Sequence, residues 1–199
     1  MFSNEVQERI DLLESGLVKT SKQEMHLTEK TEEGSADLTL HLNNACILFS
    51  DLENKKLGYF RNKKCADYIV YENRASGWIL HVFELKRSVG QKEWLAMKEQ
   101  FKGAIQNALA IAGVLGISIE LAQVRIYSVF RNDKLNDYAN TARLHSKLHE
   151  TTRGNLPADC EDWDKESAKL DFLDQEWYTH SKVRLDVENG TGSLVLKGD

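Results

Sequence analysis

Three polar residues stand out within a largely apolar stretch of the sequence: Asp67, Glu84 and Lys86. Carboxylate oxygens are the ligands that a hard divalent cation such as Mg²⁺ prefers. A neighbouring lysine can orient a water molecule or a phosphate oxygen, while the cation lowers the pKa of water and neutralises charge that develops on a phosphate. If the three side chains meet, the chemistry that they support is phosphodiester hydrolysis.

A β-hairpin is the element that would bring these residues together. Strand patterns cover Ala66–Tyr71 and Trp78–Lys86, and a turn composition separates them. A turn centred on Ala75-Ser76 sets Asp67 opposite Glu84, with Cβ atoms about 5 Å apart. Both faces of this hairpin are largely apolar, which predicts an interior position with packing on both sides.

The same residues also have a purely structural explanation. Lys86 could form a buried ion pair with one of the acids, while the other carboxylate faces solvent at a strand edge. The spacing of Asp67, Glu84 and Lys86 is by itself a weak signal. Their position is more informative, because the hairpin follows a helix and strands and precedes a long helix.

The string Ala66-Asp67, followed by Glu84-Leu85-Lys86, a helix and a further strand, resembles the PD-(D/E)xK nuclease superfamily, which has the restriction-endonuclease-like fold. Ala66 stands where the family's proline usually precedes the aspartate. The resemblance implies that Asp67, Glu84 and the backbone carbonyl of Leu85 bind Mg²⁺ or Mn²⁺. It also implies that Lys86 assists the attacking water.

Two further residues follow from the resemblance, which covers residues 4–130. Some members add a glutamine from the helix after the lysine, and Gln100 borders the apolar stripe of that helix, where it either faces the site or lies at the helix edge. The tyrosine that follows this glutamine in the exonuclease branch is replaced by Ala104. Some members also add a carboxylate from the first helix. Glu5, Glu8 and Glu14 are the candidates, of which we choose Glu14, and the favoured alternative is that it is an ordinary exposed glutamate.

Basic residues cluster shortly before the aspartate, between residues 54 and 64, where the chain has no acid. They would contact the phosphates of a nucleic acid, or they form the solvated tip of a hairpin. The residues are Lys55, Lys56, Arg61, Lys63 and Lys64.

Composition limits the class of protein. The 199 residues include 26 basic and 31 acidic side chains, so the whole chain is not a polycation that wraps nucleic acid. The hydrophobic fraction of 41% excludes low-complexity disorder, and the longest apolar run is too short to cross a membrane. Since Cys46, Cys65 and Cys160 form no C-x-x-C motif and no secretory signal is present, we expect free thiols and a cytoplasmic location.

The order of predicted elements is helix, several strands, helix, strand and helix, which indicates an α/β fold with a mixed sheet flanked by helices. Residues 1–134 would form the nuclease-like core, with helices at 4–15 and 93–115 and strands at 37–42, 46–49, 66–71, 78–86 and 124–130. Residues 135–199 would form a C-terminal extension packed on the core. Its predicted elements are a helix at 135–150, an acidic covering helix after Pro157 and a hairpin at 183–197.

We therefore expect one α/β domain that hydrolyses nucleic acid with Mg²⁺ or Mn²⁺. DNA is favoured over RNA because the sequence has no aromatic-rich RNA-binding motif. The main alternative is a protein-interaction module that keeps the fold without catalysis, which the acidic net charge and the unassigned C-terminal third favour. A homodimeric nuclease subunit of a larger defence complex, with a partner bound through the C-terminal extension, is the third alternative. No membrane partner is expected.

Overall fold

The computed structural model describes residues 2–31, 34–53, 60–136 and 156–196. The helices are α1 (Asn4–Asp11) and α2 (Gln91–Leu115), with short 3-10 turns at Leu121–Gln123 and Ala158–Cys160. The strands are β1 (Val18–Ser21), β2 (Glu24–Thr31), β3 (Gly34–Leu42), β4 (Ala45–Ser50), β5 (Tyr68–Arg74), β6 (Gly77–Val89), β7 (Val124–Asp133), β8 (Ser167–Phe172), β9 (Gln175–Arg184) and β10 (Thr191–Leu196).

Seven strands form the larger of two sheets, in the order β1-β4-β5-β6-β7-β9-β8. Antiparallel pairs join β1, β4, β5 and β6, whereas β7 runs parallel to β6 and β9 runs parallel to β7. The helix α2 makes the crossover between β6 and β7, because parallel neighbours need a long connection. The predicted α/β class with a mixed sheet is confirmed.

The larger sheet is covered on both faces. On one face α2 packs Trp94, Met97 and Phe101 into the main hydrophobic core. On the other face lies a smaller sheet in the order β10-β3-β2, which contributes Leu27 and Leu38 to a second core. Burial on both faces explains why β5 and β6 have nearly continuous apolar sequences, as the prediction of an interior hairpin requires.

Local chemistry sets the ends of both helices. The Ser3 hydroxyl accepts a hydrogen bond from the Val6 N–H at 3.3 Å and caps α1, which ends at Asp11 and not at the predicted Ser15. The longer helix α2 begins two residues before the predicted start. It stops before Gly116, whose φ of 69° is the left-handed conformation that glycine adopts readily.

The prediction of a covering helix after Pro157 is wrong. After a 3-10 turn, the acidic segment forms β8 and the start of β9, which extend the larger sheet. Ala168 and Leu170 are buried while Lys169 and Asp171 are exposed, which is the alternation of a strand. The charged side chains of β8 lie on the solvent side of a sheet edge, and charge content alone does not distinguish this arrangement from a helix face.

The predicted hairpin at residues 183–197 is also wrong. Val183 belongs to β9, and β10 pairs in parallel with β3 of the smaller sheet instead of returning onto β9. Arg131 holds the connection between the sheets by hydrogen bonds to two of its carbonyls, at 2.6 and 2.8 Å. The turn signal at Asn189-Gly190 was local, whereas the partner strand lies near the other end of the chain.

The remaining predictions differ in how much the structure says of them. Residues 19–34 show no clear period in the sequence, yet they contain most of β1 and all of β2. The apolar pair Tyr59-Phe60 after the basic turn suggests a return strand in the sequence, but none forms at Phe60, and Tyr59 lies outside the described residues. Beyond residue 136, the predicted helix at 135–150 also lies outside them. The boundary after residue 134 stays a prediction, although the later residues add three strands to the two sheets.

None of the described helices is both long and apolar enough to cross a lipid bilayer.

Candidate active site

The hairpin of β5 and β6 forms in the predicted register. Tyr68 lies opposite Phe83, and Arg74 lies opposite Gly77. The φ of 126° at Gly77 is a backbone conformation that residues with side chains rarely adopt, which explains the glycine at the end of the turn. Extended by one residue before β5, the same register places Asp67 opposite Glu84.

Two hydrogen bonds join Asp67 and its surroundings to the opposite strand. The Asp67 N–H donates to Glu84 Oε2 at 3.2 Å, and the Leu85 N–H donates to Asp67 Oδ2 at 2.7 Å. Each carboxylate therefore accepts from the backbone of the other strand, and the two acids lie side by side. The structure thus brings together the two residues on which the predicted site depends.

Lys86 completes this group. Its Nζ forms an ion pair with Glu84 Oε1. The Glu84 side chain is fully buried, whereas that of Lys86 is 25% exposed, so the lysine alone of this pair reaches solvent. The residues lie two apart on β6 and therefore on one face of the strand. Apart from this ion pair, Glu84 Oε1 has no hydrogen-bond partner in the described part of the chain.

The pKa values of the three groups are strongly linked. Burial raises the pKa of Glu84 to about 8, the Asp67 charge raises it further and Lys86 partly opposes both. Burial also raises the pKa of Asp67, against the effects of Lys86 and the Leu85 N–H. Burial alone would lower the pKa of Lys86, but the negative charges of Glu84 and Asp67 outweigh it and raise that pKa. The single positive charge of Lys86 therefore only partly offsets the effect of burial on Glu84 and the partly buried Asp67.

A cavity of about 300 Å³ lies beside Asp67. Residues 28–29 of β2, 50–53 after β4 and 66–68 at the start of β5 line it. Four of these nine lining residues are acidic, namely Glu29, Asp51, Glu53 and Asp67. An acidic cavity of this size suits a hydrated cation better than a bare anion.

Glu29 is a candidate that the sequence analysis missed. The pKa of Glu29 is raised by burial and by the charge of Asp67, against the effect of Lys86, so the acid belongs electrostatically to the site. The signal was present in β2, where Met25 and Leu27 are buried and Glu29 is the next residue of the same row. That row has only two apolar members, which is too short for a strand to be recognised.

The hydroxyl of Tyr68 fixes β2 beside β5. It donates to the Thr28 carbonyl at 2.7 Å and accepts from the Thr28 N–H at 2.9 Å. Thr28 immediately precedes Glu29, and Tyr68 immediately follows Asp67. The smaller sheet is therefore attached to the larger one at the point where the two acids line the cavity.

Gln100 and Glu14, the other two residues that the resemblance suggests, do not line the cavity beside Asp67. Gln100 is partly exposed between the buried Met97 and Ala104, and among the described contacts it makes no hydrogen bond to Asp67 or Glu84. The helix-edge alternative accounts for this position. Glu14 is exposed and lies beyond the end of α1, away from the cavity lining.

The described part of the basic segment is anchored to α2. Lys64 lies so close to Gly103 that a Cβ atom there would be 1.8 Å from the Lys64 carbonyl oxygen. The Asn62 side chain donates to the Glu99 carbonyl at 3.1 Å and accepts from the Lys64 N–H at 3.0 Å. Exposed basic side chains are thus held within a few residues of Asp67. They are Arg61, Lys63 and Lys64, whereas Lys55 and Lys56 lie outside the described residues.

A second buried polar cluster occupies the turn end of the same hairpin. Glu72 accepts hydrogen bonds from Asn44 Nδ2 at 2.8 Å and Arg74 Nε at 2.9 Å, and its Oε2 lies 3.0 Å from His81 Nε2. The His81 Nδ1 lies 3.0 Å from the Tyr127 hydroxyl. Because its members satisfy one another, this cluster has the character of a structural network.

Over residues 2–31, 34–53, 60–136 and 156–196, no three His, Cys, Asp or Glu side chains are grouped closely enough to hold a metal ion by themselves. Asp67 and Glu84 would need the Leu85 carbonyl and water to complete the coordination of a cation. Mg²⁺ accepts such an arrangement because it commonly binds through one or two carboxylates and keeps several waters. Comparisons of the chain with protein-family models, with curated proteins and with solved structures found no match.

Proposed function

We propose that this chain is a nuclease that hydrolyses phosphodiester bonds of nucleic acid, with DNA favoured over RNA and with Mg²⁺ or Mn²⁺ as cofactor. The observation that supports this function best is the contact of Asp67 with Glu84, beside Lys86 and next to an acidic cavity. Two adjacent carboxylates and a lysine are the groups that the PD-(D/E)xK resemblance requires.

The order of elements favours a restriction-endonuclease-like core within the α/β fold. After α1, the strands β4, β5 and β6 form an antiparallel meander, and α2 then leads to β7, which is parallel to β6. Asp67 precedes the middle strand of the meander, and Glu84 and Lys86 lie on the third strand before the helix, as the resemblance implies. In this proposal β1 to β3 are an insertion, and β8 to β10 are additions to the core.

The residues fit a divalent cation. The buried Glu84 Oε1 is paired with Lys86 and has no other hydrogen-bond partner among the described residues, and the single charge of Lys86 faces two carboxylates. Asp67, Glu84 and the Leu85 carbonyl would hold the ion, since hard cations prefer oxygen ligands. When bound, the ion would stabilise negative charge on the phosphate and lower the pKa of water.

The chain's own groups would position the substrate. The Leu85 N–H keeps the Asp67 carboxylate facing Glu84, which fixes one wall of the site. The partly exposed Lys86 ammonium would donate hydrogen bonds to the attacking water or to a phosphate oxygen. Arg61, Lys63 and Lys64 would bind the backbone phosphates on either side of the scissile bond, with an affinity that falls steeply as salt is added.

Cleavage of labelled single- and double-stranded DNA and RNA in Mg²⁺ or Mn²⁺ tests the proposal. We expect the intact chain to cut DNA, and we expect Asp67→Asn and Lys86→Ala to lose at least about a hundredfold in rate, since each removes a group that acts on the reacting atoms. Lys19→Ala, at an exposed lysine of the edge strand β1, is the matched control and should cut normally. Equal cleavage by wild type and Lys86→Ala would indicate a contaminating nuclease.

The alternative function predicts a different outcome. If the protein is an interaction module without catalysis, none of the four substrates is cut, and Mn²⁺ does not raise the melting temperature of the chain. Stabilisation by Mn²⁺ that Asp67→Asn abolishes would instead favour the enzyme.

The three cysteines are buried thiols, which fits the reducing, cytoplasmic location that belongs to this proposal.

A further inference from the structure

The cavity beside Asp67 has more acid than the proposed cation site uses. Asp67 is its one lining residue from the predicted site, and none of its described lining residues is basic. Asp51 adopts a φ of 59°, an uncommon conformation for a residue with a side chain, so the backbone is constrained at this wall. Glu29, Asp51 and Glu53 are therefore the acids near enough to the site to act on the cation.

Glu29 is the acid that the fold places most deliberately. The alternation of β2 directs its side chain to the same face as the buried Met25 and Leu27. Tyr68 then fixes the backbone one residue before Glu29 to the residue that follows Asp67. The other members of this row, Met25 and Leu27, are buried and hydrophobic, so packing does not explain why a carboxylate stands at position 29.

The charges around Lys86 point to a missing positive group. Glu29, Asp67 and Glu84 all act electrostatically on this one lysine. In addition, Glu84 is fully buried, and among the described residues its Oε1 is paired only with the Lys86 ammonium. Three acids that share one lysine leave a charge deficit that a divalent cation would fill.

We propose that Glu29, supplied by the smaller sheet, binds the hydration shell of the divalent cation held by Asp67 and Glu84, and that Tyr68 positions Glu29 for this role. The inference rests on the proposed function. It adds Glu29, which is not part of the Asp67, Glu84 and Lys86 motif on which the family resemblance is based. Glu29 acts through water because the three carboxylates are not close enough together to bind one ion directly. The smaller sheet is then a part of the site.

A titration of the full-length chain with Mn²⁺, followed by the electron paramagnetic resonance signal of free Mn²⁺, tests this role without any substrate. Residues that orient the ligands of a metal ion typically contribute 10- to 100-fold to its affinity. We therefore expect Glu29→Gln to raise the Kd for Mn²⁺ about tenfold. Asp67→Asn should raise it more. Glu24→Gln, at an exposed glutamate of the same strand, is the matched control and should stay within about twofold of wild type.

Tyr68→Phe separates positioning from simple stability. Removal of the hydroxyl frees Thr28 but keeps the ring, so we expect a rise in the Mn²⁺ Kd of roughly threefold, below that of Glu29→Gln. Because Tyr68 acts through Glu29, the double variant should bind Mn²⁺ no more weakly than Glu29→Gln alone. Additive losses in the double variant would show that Tyr68 does not act through Glu29 and would overturn its assigned role.

The outcomes distinguish this inference from the function on which it rests. If wild type binds no Mn²⁺, the proposed metal-dependent function fails, and the role of Glu29 fails with it. If Asp67→Asn loses affinity while Glu29→Gln binds like wild type, the inference is overturned and the proposed function stands. Circular dichroism and thermal unfolding without metal establish that each variant is folded, and Glu29→Asp, which keeps the charge on a shorter side chain, should give an intermediate Kd if Glu29→Gln is not folded.

Discussion

The Glu84 carboxyl links the candidate site to the stability of the folded chain. Its pKa of about 8 means that the folded protein binds this proton more tightly than the unfolded protein does, where the ordinary value is 4.5. The contribution of Glu84 to stability is therefore fully present at low pH and is lost as the pH rises from about 4.5 to 8. Above about pH 8 the folded protein therefore keeps an unfavourable charge in its interior.

Glu84→Gln should remove this pH dependence, because glutamine does not titrate. In metal-free buffer with chelator, we expect the melting temperature of wild type to fall relative to the variant between about pH 5.5 and pH 8.5, by roughly 2–4 °C for each kcal/mol lost. Thermal unfolding across this range measures the difference, with Glu8→Gln on the exposed face of α1 as the control. If the melting temperatures of wild type and Glu84→Gln changed in parallel with pH, the pKa of Glu84 would not be raised in the folded protein.

Glu72, at the turn end of the hairpin, has the opposite balance. Burial by itself raises its pKa, but hydrogen bonds from His81, Arg74 and Asn44 outweigh burial and lower the pKa to about 2. A carboxyl whose pKa is lowered on folding stabilises the protein above its ordinary pKa of 4.5, and this stability is lost as the pH falls to about 2.

Glu72→Gln should therefore destabilise the fold at neutral pH without affecting the cation site. It leaves Arg74 buried without its charged partner, for which we expect a loss of about 3–5 kcal/mol in the free energy of unfolding. Urea denaturation at pH 7 measures the loss, which should shrink as the pH is lowered toward 3. Exposed Glu120→Gln serves as the control, and an equally small effect of both changes would argue against the network.

At the scale of elements, the position of the basic segment depends on one glycine of α2. Gly103 allows the Lys64 backbone to approach the helix at a distance that no Cβ atom would permit. Glycine usually weakens the interior of a helix, by roughly 0.5–1 kcal/mol relative to alanine. Here that cost is offset by the packing of a segment that leads directly to Asp67.

The helix provides a matched pair of glycines to test this packing. Gly103→Ala forces the Lys64 backbone away, so we expect a loss of about 1–3 kcal/mol in stability together with weaker DNA binding. Gly113→Ala, where a Cβ atom meets no atom within 4 Å, should instead stabilise the protein by roughly 0.5–1 kcal/mol and leave binding unchanged. Urea denaturation and a DNA-binding titration give both quantities, and effects of the same sign would contradict the assigned contact.

At the scale of the whole molecule, the C-terminal strands belong to both layers. Strands β8 and β9 continue the larger sheet past β7, and β10 forms an edge of the smaller sheet. They and the turn before them bury large side chains, among them Trp163, Tyr178 and Leu185. We infer that these strands support the same fold that positions the candidate site.

A chain that ends at residue 156 should therefore fail to fold. It lacks β8 to β10, so the edge of β7 and much of both hydrophobic cores become exposed. We expect no cooperative thermal transition and strong binding of a hydrophobic dye such as ANS. A cooperative transition in the truncated chain would instead support a separable core, in line with the boundary predicted after residue 134.

Local patterns were sufficient for some of this structure and insufficient for the rest. The hairpin that carries Asp67 and Glu84 could be predicted because its apolar faces, its turn and its register all lie within one short segment. Glu29 could not, because only two apolar residues precede it in its row and its neighbour Asp67 comes from a distant strand. The partner of β10 could not be predicted either, since no local signal specifies a pairing between the two ends of the chain.

The parallel pairing of β10 with β3 also determines when the smaller sheet can be completed. β3 is synthesised well before β10, so one edge of β3 stays unpaired in the nascent chain until β10 has been made. Closing a loop of that length is slow compared with forming a hairpin. We therefore expect the nascent polypeptide to depend on chaperones at this edge until β10 is available for pairing.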